Sequence, residues 1–164
     1  MPSSKRVDEF SSALSAAARY THRGVRSANQ VRAYLTQRKV SPAIAERVLA
    51  ACRFRHLIDD HACARLWADH WARAGFAWSA IRGKLAVRGL DEHVIAQAAS
   101  WLAHAADDEA RARAVAARVL QRGRAHPQQR ARVARTLESR GFDANLVERI
   151  LNESFGTLHS DAES

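Results

Sequence analysis

The sequence predicts an all-α fold: an elongated array of three tandem three-helix repeats. Three observations predict it. The chain of 164 residues is 47% apolar, with only 7 Gly and 3 Pro, and it is rich in Ala, Arg and Leu, which lose little side-chain entropy in a helix. No stretch alternates apolar and polar residues as a half-buried strand does. Three segments also align without gaps: VRAYLTQRKVSPAIAERVLA from Val31, IRGKLAVRGLDEHVIAQAAS from Ile81 and VARTLESRGFDANLVERILN from Val133. Upstream, Asp8, Asp59 and Asp107 stand at a common distance before Gly24, Gly75 and Gly123. Such self-similarity is the mark of a repeat architecture.

Each element has its own local signal. The pairs Asp59–Asp60 and Asp107–Asp108 open first helices, because a carboxylate there accepts from free amides and meets the positive end of the dipole. Ala64, Trp67, Ala68 and Trp71 follow at helical spacing, a predicted core stripe. Gly75 and Gly123 are expected to close these helices. The second helix of the first repeat opens with Ser27 and Gln30, a capping-box pair. It ends near Arg38; the aligned Arg88 and Arg140 likewise stand before a helix end, where a cation is stabilised. Gly89 and Gly141 then turn the chain, and Asp91 or Asp143 starts the third helix. The first repeat has Lys39 where the others have Gly, which predicts a strained or differently shaped corner. Its third helix starts at Ser41 with Pro42 in the first turn. The third helices carry apolar stripes such as Ile44, Val48, Leu49 and Cys52. The expected divisions are 1–56 for the first repeat with an N-terminal extension, 57–105 for the second, 106–155 for the third, and 156–164 for a disordered acidic tail. The N-terminus is expected to fray.

The net charge is +9 and the isoelectric point about 10.9, which points to a polyanionic partner. Most of the positive charge is Arg, which pairs with phosphate or carboxylate through a planar fork. Charge is segregated: +8 over residues 1–56, −3 over 57–110, +7 over 111–149 and −3 over 150–164. Two basic ends flanking an acidic middle fit an interaction protein better than randomly solvated faces. Arg32, Arg82, Lys84, Arg130, Arg132 and Arg135 are the candidate partner- or DNA-binding residues; Arg32, Arg82, Arg132 and Arg135 lie on amphipathic helices away from the end. Trp67, Trp71, Trp78 and Trp101 could stack on bases, but Trp67 and Trp71 fall on the apolar stripe and Trp101 beside one.

Other classes find no support. Cys52, His56, His61 and Cys63 fit no zinc spacing, and both thiols sit at core positions; no metal or cofactor is expected. No phosphate-binding loop or nucleophile motif is present, so no enzyme activity is expected. Two cysteines make no disulfide scaffold, and no signal peptide or membrane span is evident. The chain reads as a cytoplasmic monomer.

The phrases LIDDHACARLWADHWARAG, RTLESRGFDANLVERIL and YTHRGVRSANQVRAYL resemble the RecX family over roughly Phe10 to Phe155. Lys39 and the Trp-rich middle repeat depart from that family's pattern. The resemblance implies a regulator that binds the RecA recombinase and the RecA–DNA filament and dampens ATP hydrolysis and strand exchange in recombination, DNA repair and the SOS response. A helical repeat protein that binds nucleic acid alone, through Arg–phosphate contacts, is the alternative.

Overall fold

The computed structural model describes residues 3–103, 107–121 and 128–156. Among them lie nine helices and no strand: α1 (Ser3–His22), α2 (Ala28–Gln37), α3 (Pro42–Phe54), α4 (Asp60–Arg73), α5 (Trp78–Val87), α6 (Glu92–Ala103), α7 (Asp108–Gln121), α8 (Gln129–Ser139) and α9 (Ala144–Phe155). The fold is the expected all-α arrangement of three-helix repeats. No helix among the described residues is long and apolar enough to cross a membrane. Gly123 and the segment 157–164 lie outside the described residues.

Packing groups the chain into two units that cut through the middle repeat: residues 1–66 with 85–98, and 67–84 with 99–164. In the first unit α1 packs on α2 and α3. Its core joins Ala13, Leu14 and Ala17 of α1, Val31 and Leu35 of α2, and Ile44, Val48, Leu49 and Cys52 of α3. The second unit repeats the scheme with Ala112 and Ala116 of α7, Val133 and Leu137 of α8, and Val147, Ile150 and Leu151 of α9. The aligned positions are therefore buried in both units because they do the same job.

The first helices do not bury what hydrophobicity alone suggests. Ala13, Ala64 and Ala112 are aligned and buried, as are Ala17, Ala68 and Ala116, whereas Trp67 and Trp71 are only half-buried. A small residue every fourth position lets another helix approach closely, and a Trp there would hold it off. Trp101 is partly exposed, at 39%.

The corners follow one design. Lys39, Gly89 and Gly141 each donate an amide to the carbonyl three residues back, and Val40, Leu90 and Phe142 each donate to the carbonyl five back. All three corner residues have positive φ, 59° at Lys39, 74° at Gly89 and 82° at Gly141. The Lys39 corner thus keeps the common shape and bears the left-handed strain, about 1–2 kcal/mol. Ser27 forms the full capping box with Gln30, and Asp143 caps α9 by accepting from Asn145 and Leu146. Ser41 makes no side-chain cap; Pro42 carries that helix start. α1 has 20 residues where α4 and α7 have 14 each.

Candidate functional site

The paired aspartates divide their labour. Asp59 accepts from the Ala62 amide at 2.9 Å, and Asp107 from the Ala110 amide at 2.7 Å, so the first of each pair caps its own helix. The second reaches back to the preceding repeat. Asp60 accepts from the Ala28 amide at the start of α2 (2.8 Å), and Asp108 from the Trp78 amide at the start of α5 (2.9 Å). Each carboxylate supplies both a hydrogen bond and a negative charge to a helix N-terminus belonging to its neighbour.

The same two joints are closed from the other side by the corners. In the first unit the buried Ser27 hydroxyl donates to the Arg88 carbonyl at 2.7 Å, and the Asn29 amide group donates to the Gly89 carbonyl. In the second unit the Ala77 amide donates to the Arg140 carbonyl at 2.9 Å and the Ser79 hydroxyl to the Gly141 carbonyl at 2.6 Å. A Cβ on Gly89 would stand 2.6 Å from the Asn29 Cβ, and one on Gly141 would stand 2.8 Å from the Ala80 Cβ. Gly is required there by close approach as well as by φ. Lys39 is exposed and lies outside both joints, which is why a side chain is tolerated at that corner alone.

Much of the acidic charge of residues 57–110 is thereby spent inside the fold. Asp59, Asp60, Asp107 and Asp108 hold helix starts, Asp69 pairs with Arg73 at 2.8 Å, and Glu109 pairs with Arg113 and Arg149. The cations are spent unevenly, and this sorts the six candidates. Arg32 forks onto Glu46, with Nε–Oε1 at 2.7 Å and Nη2–Oε2 at 3.3 Å, tying α2 to α3. That hydrogen bond raises the arginine's pKa and holds Glu46 below the usual carboxylate range. Lys84 sits over the rings of Phe76 and Trp71, at 4.5 and 5.8 Å from their centroids. Arg130 donates to the Leu151 carbonyl at 3.2 Å and to the Asn152 side chain at 3.0 Å, closing the end of α9. Arg82 is exposed on α5.

Arg132 and Arg135 stand apart. They are exposed on α8, opposite the buried Val133 and Leu137, and three residues apart they share a face. Neither guanidinium has a hydrogen-bonding or acidic partner among the described residues. Three arginines that sequence reasoning passed over share that property, Arg19 and Arg23 at the end of α1 and Arg55 after α3; Arg53, close to Arg55 at the end of α3, is exposed too, but its charge acts on Glu46. The signal for Arg53 and Arg55 was the exposed Phe54 between them, off the apolar stripe.

Burial pushes the Cys52 thiol up, and burial together with Asp60 and Asp59 pushes Cys63 up to about 11. Cys63 Sγ lies 3.2 Å from the Arg26 carbonyl. Protonated buried thiols are packing groups, not nucleophiles.

Residues 107–151 match the family model described as RecX, third three-helix domain. Two solved structures are similar over most of the chain. One, RecX from Lactobacillus salivarius, is 17% identical with a TM-score of 0.73, covering 90% of this chain and 97% of that one. The other, regulatory protein RecX, is 21% identical with a TM-score of 0.71, covering 89% and 73%. At these identities the likeness is one of fold. Comparison with curated proteins finds no match.

Proposed function

We propose that this chain, a member of the RecX family, binds the RecA recombinase and its nucleoprotein filament and restrains ATP hydrolysis and strand exchange. The observation that carries the reading is the match of residues 107–151 to the third three-helix domain of RecX, supported by repeats of the same design through the rest of the chain. In this reading the protein is a cytoplasmic monomer and an interaction protein with no cofactor. Its working divisions are the repeats 1–56, 57–105 and 106–155, followed by an acidic tail.

The physical logic runs from repetition to inhibition. Tandem repeats multiply individually weak contacts into a stable complex without any one of them being strong. A protein that holds several recombinase subunits in one arrangement opposes the subunit motions that hydrolysis and exchange need. Arg132 and Arg135, unpartnered among the described residues, contribute attraction to the DNA-bearing filament, because arginines already committed to internal partners have less to offer.

Filament affinity measured at several salt concentrations tests this. Each phosphate contact releases counterions, so reversing Arg132 and Arg135 to Glu should flatten the salt slope by about 1.4 on a single strand and leave helix content unchanged. Reversing Asp69, already paired with Arg73, should not flatten it. A wild type that fails to bind filaments of RecA on single-stranded DNA would refute the functional reading.

A further inference from the structure

The ends of α1 and α3 meet in a feature that the RecA reading does not use. A cleft of about 680 Å³ lies there, lined by Ala18, Arg19, His22 and Arg23 from α1 and its turn, and by His56 and Leu57 after α3. Its lining combines the apolar Ala18 and Leu57 with the cations Arg19 and Arg23. Arg53 and Arg55 flank the same chain reversal; Arg19, Arg23 and Arg55 have no acidic or hydrogen-bonding partner among the described residues, while the charge of Arg53 acts on Glu46. Between Arg53 and Arg55, Phe54 is 86% exposed.

Two details separate this surface from ordinary solvated helix ends. Helix C-termini attract cations, which accounts for Arg19 and Arg53, but it gives no reason for an aromatic ring in water beside them. His56 also has φ of 55°. Gly adopts that conformation without cost, while a side chain there is strained, as at Lys39. The strained residue is the one that puts an imidazole into the cleft wall.

We propose that this end of the first unit is a binding site for single-stranded nucleic acid, with backbone phosphates in the cationic cleft and a base stacked on Phe54. Cations that track a backbone beside an aromatic platform are what sequence-tolerant strand binding requires. A duplex keeps its base faces covered and offers Phe54 nothing to stack on. An acidic polypeptide satisfies the arginines but leaves the ring without a planar partner.

The proposal does not depend on recombinase binding, and the test omits recombinase. The full chain is titrated into fluorescently labelled oligo(dT) of about 20 nucleotides, followed by anisotropy at several salt concentrations. Phe54→Ala should weaken binding about tenfold with the salt slope unchanged. Arg19→Gln with Arg23→Gln should lower the slope by about 1.4, the value for two contacts to a single strand. His56→Gly should raise the melting temperature while lowering affinity, a split that a merely structural residue would not produce. Unlabelled oligo(dT) should compete far better than a duplex of equal length or polyglutamate of equal charge. Absence of binding by the wild type, equal affinity of wild type and the Phe54→Ala and His56→Gly variants, or equal competition by polyglutamate would each overturn the proposal.

Discussion

Replacing Asp108 by Ala should destabilise the protein far more than replacing its repeat equivalent Asp60. Both substitutions remove a carboxylate that holds the first amide of a neighbouring helix, at 2.9 Å to Trp78 and 2.8 Å to Ala28. Loss of such a cap costs about 1 kcal/mol. Asp108 has a second partner: it pairs with Arg111 three residues on, whose side chain is 8% exposed. Removing one member of a fully buried pair costs about 3–5 kcal/mol. Asp108 is itself 38% exposed, so water screens part of that and about 2 kcal/mol is the better figure. The sums are about 3 kcal/mol for Asp108→Ala and about 1 kcal/mol for Asp60→Ala. Urea unfolding followed by circular dichroism measures both. A double-mutant cycle with Arg111→Met should show a coupling of about 1 kcal/mol or more. Equal costs for the two aspartates, or no coupling, would refute the assignment of Asp108 to both roles.

The corners and the thiols are equally open to test. Gly89→Ala and Gly141→Ala should each cost about 2 kcal/mol or more, from the left-handed φ and the collision with the preceding repeat, whereas Lys39→Gly should stabilise by about 1 kcal/mol; thermal melts would show shifts of opposite sign. Cys52 and Cys63 are buried, and Cys63 is pushed up to about 11. Neither should react with a thiol reagent at mildly alkaline pH until denaturant is added, and rapid labelling of the native protein would contradict their burial.

The repeat was legible because its corners are written in residue types with few substitutes. A tight reversal wants Gly, a helix start wants Asp or Ser, and Val31, Ile81 and Val133 recur in register with Leu35, Leu85 and Leu137. The role of Asp60 and Asp108 was not legible: a carboxylate that caps its own helix and one that serves its neighbour's are the same letter at the same end. The Trp stripe was misjudged for a related reason. Hydrophobicity ranks Trp67 and Trp71 above Ala64 and Ala68, but the distance between helices decides which fits, and that is a tertiary quantity. The six candidate cations show the same limit. Arg132 and Arg135 emerge exposed and unpartnered among the described residues, while Arg130 caps the end of α9 at Leu151 and Asn152, 21 and 22 residues away. The matching carboxylate of Arg32, Glu46, is visible in the sequence, yet only the packing of α2 on α3 brings it into reach.

The most direct test of the central claim is the rate of ATP hydrolysis by RecA assembled on single-stranded DNA as this chain is added. The account predicts that hydrolysis falls at fewer than one chain per recombinase subunit, because tandem repeats let one molecule restrain several subunits. Hydrolysis and strand exchange unchanged at equimolar chain would contradict it.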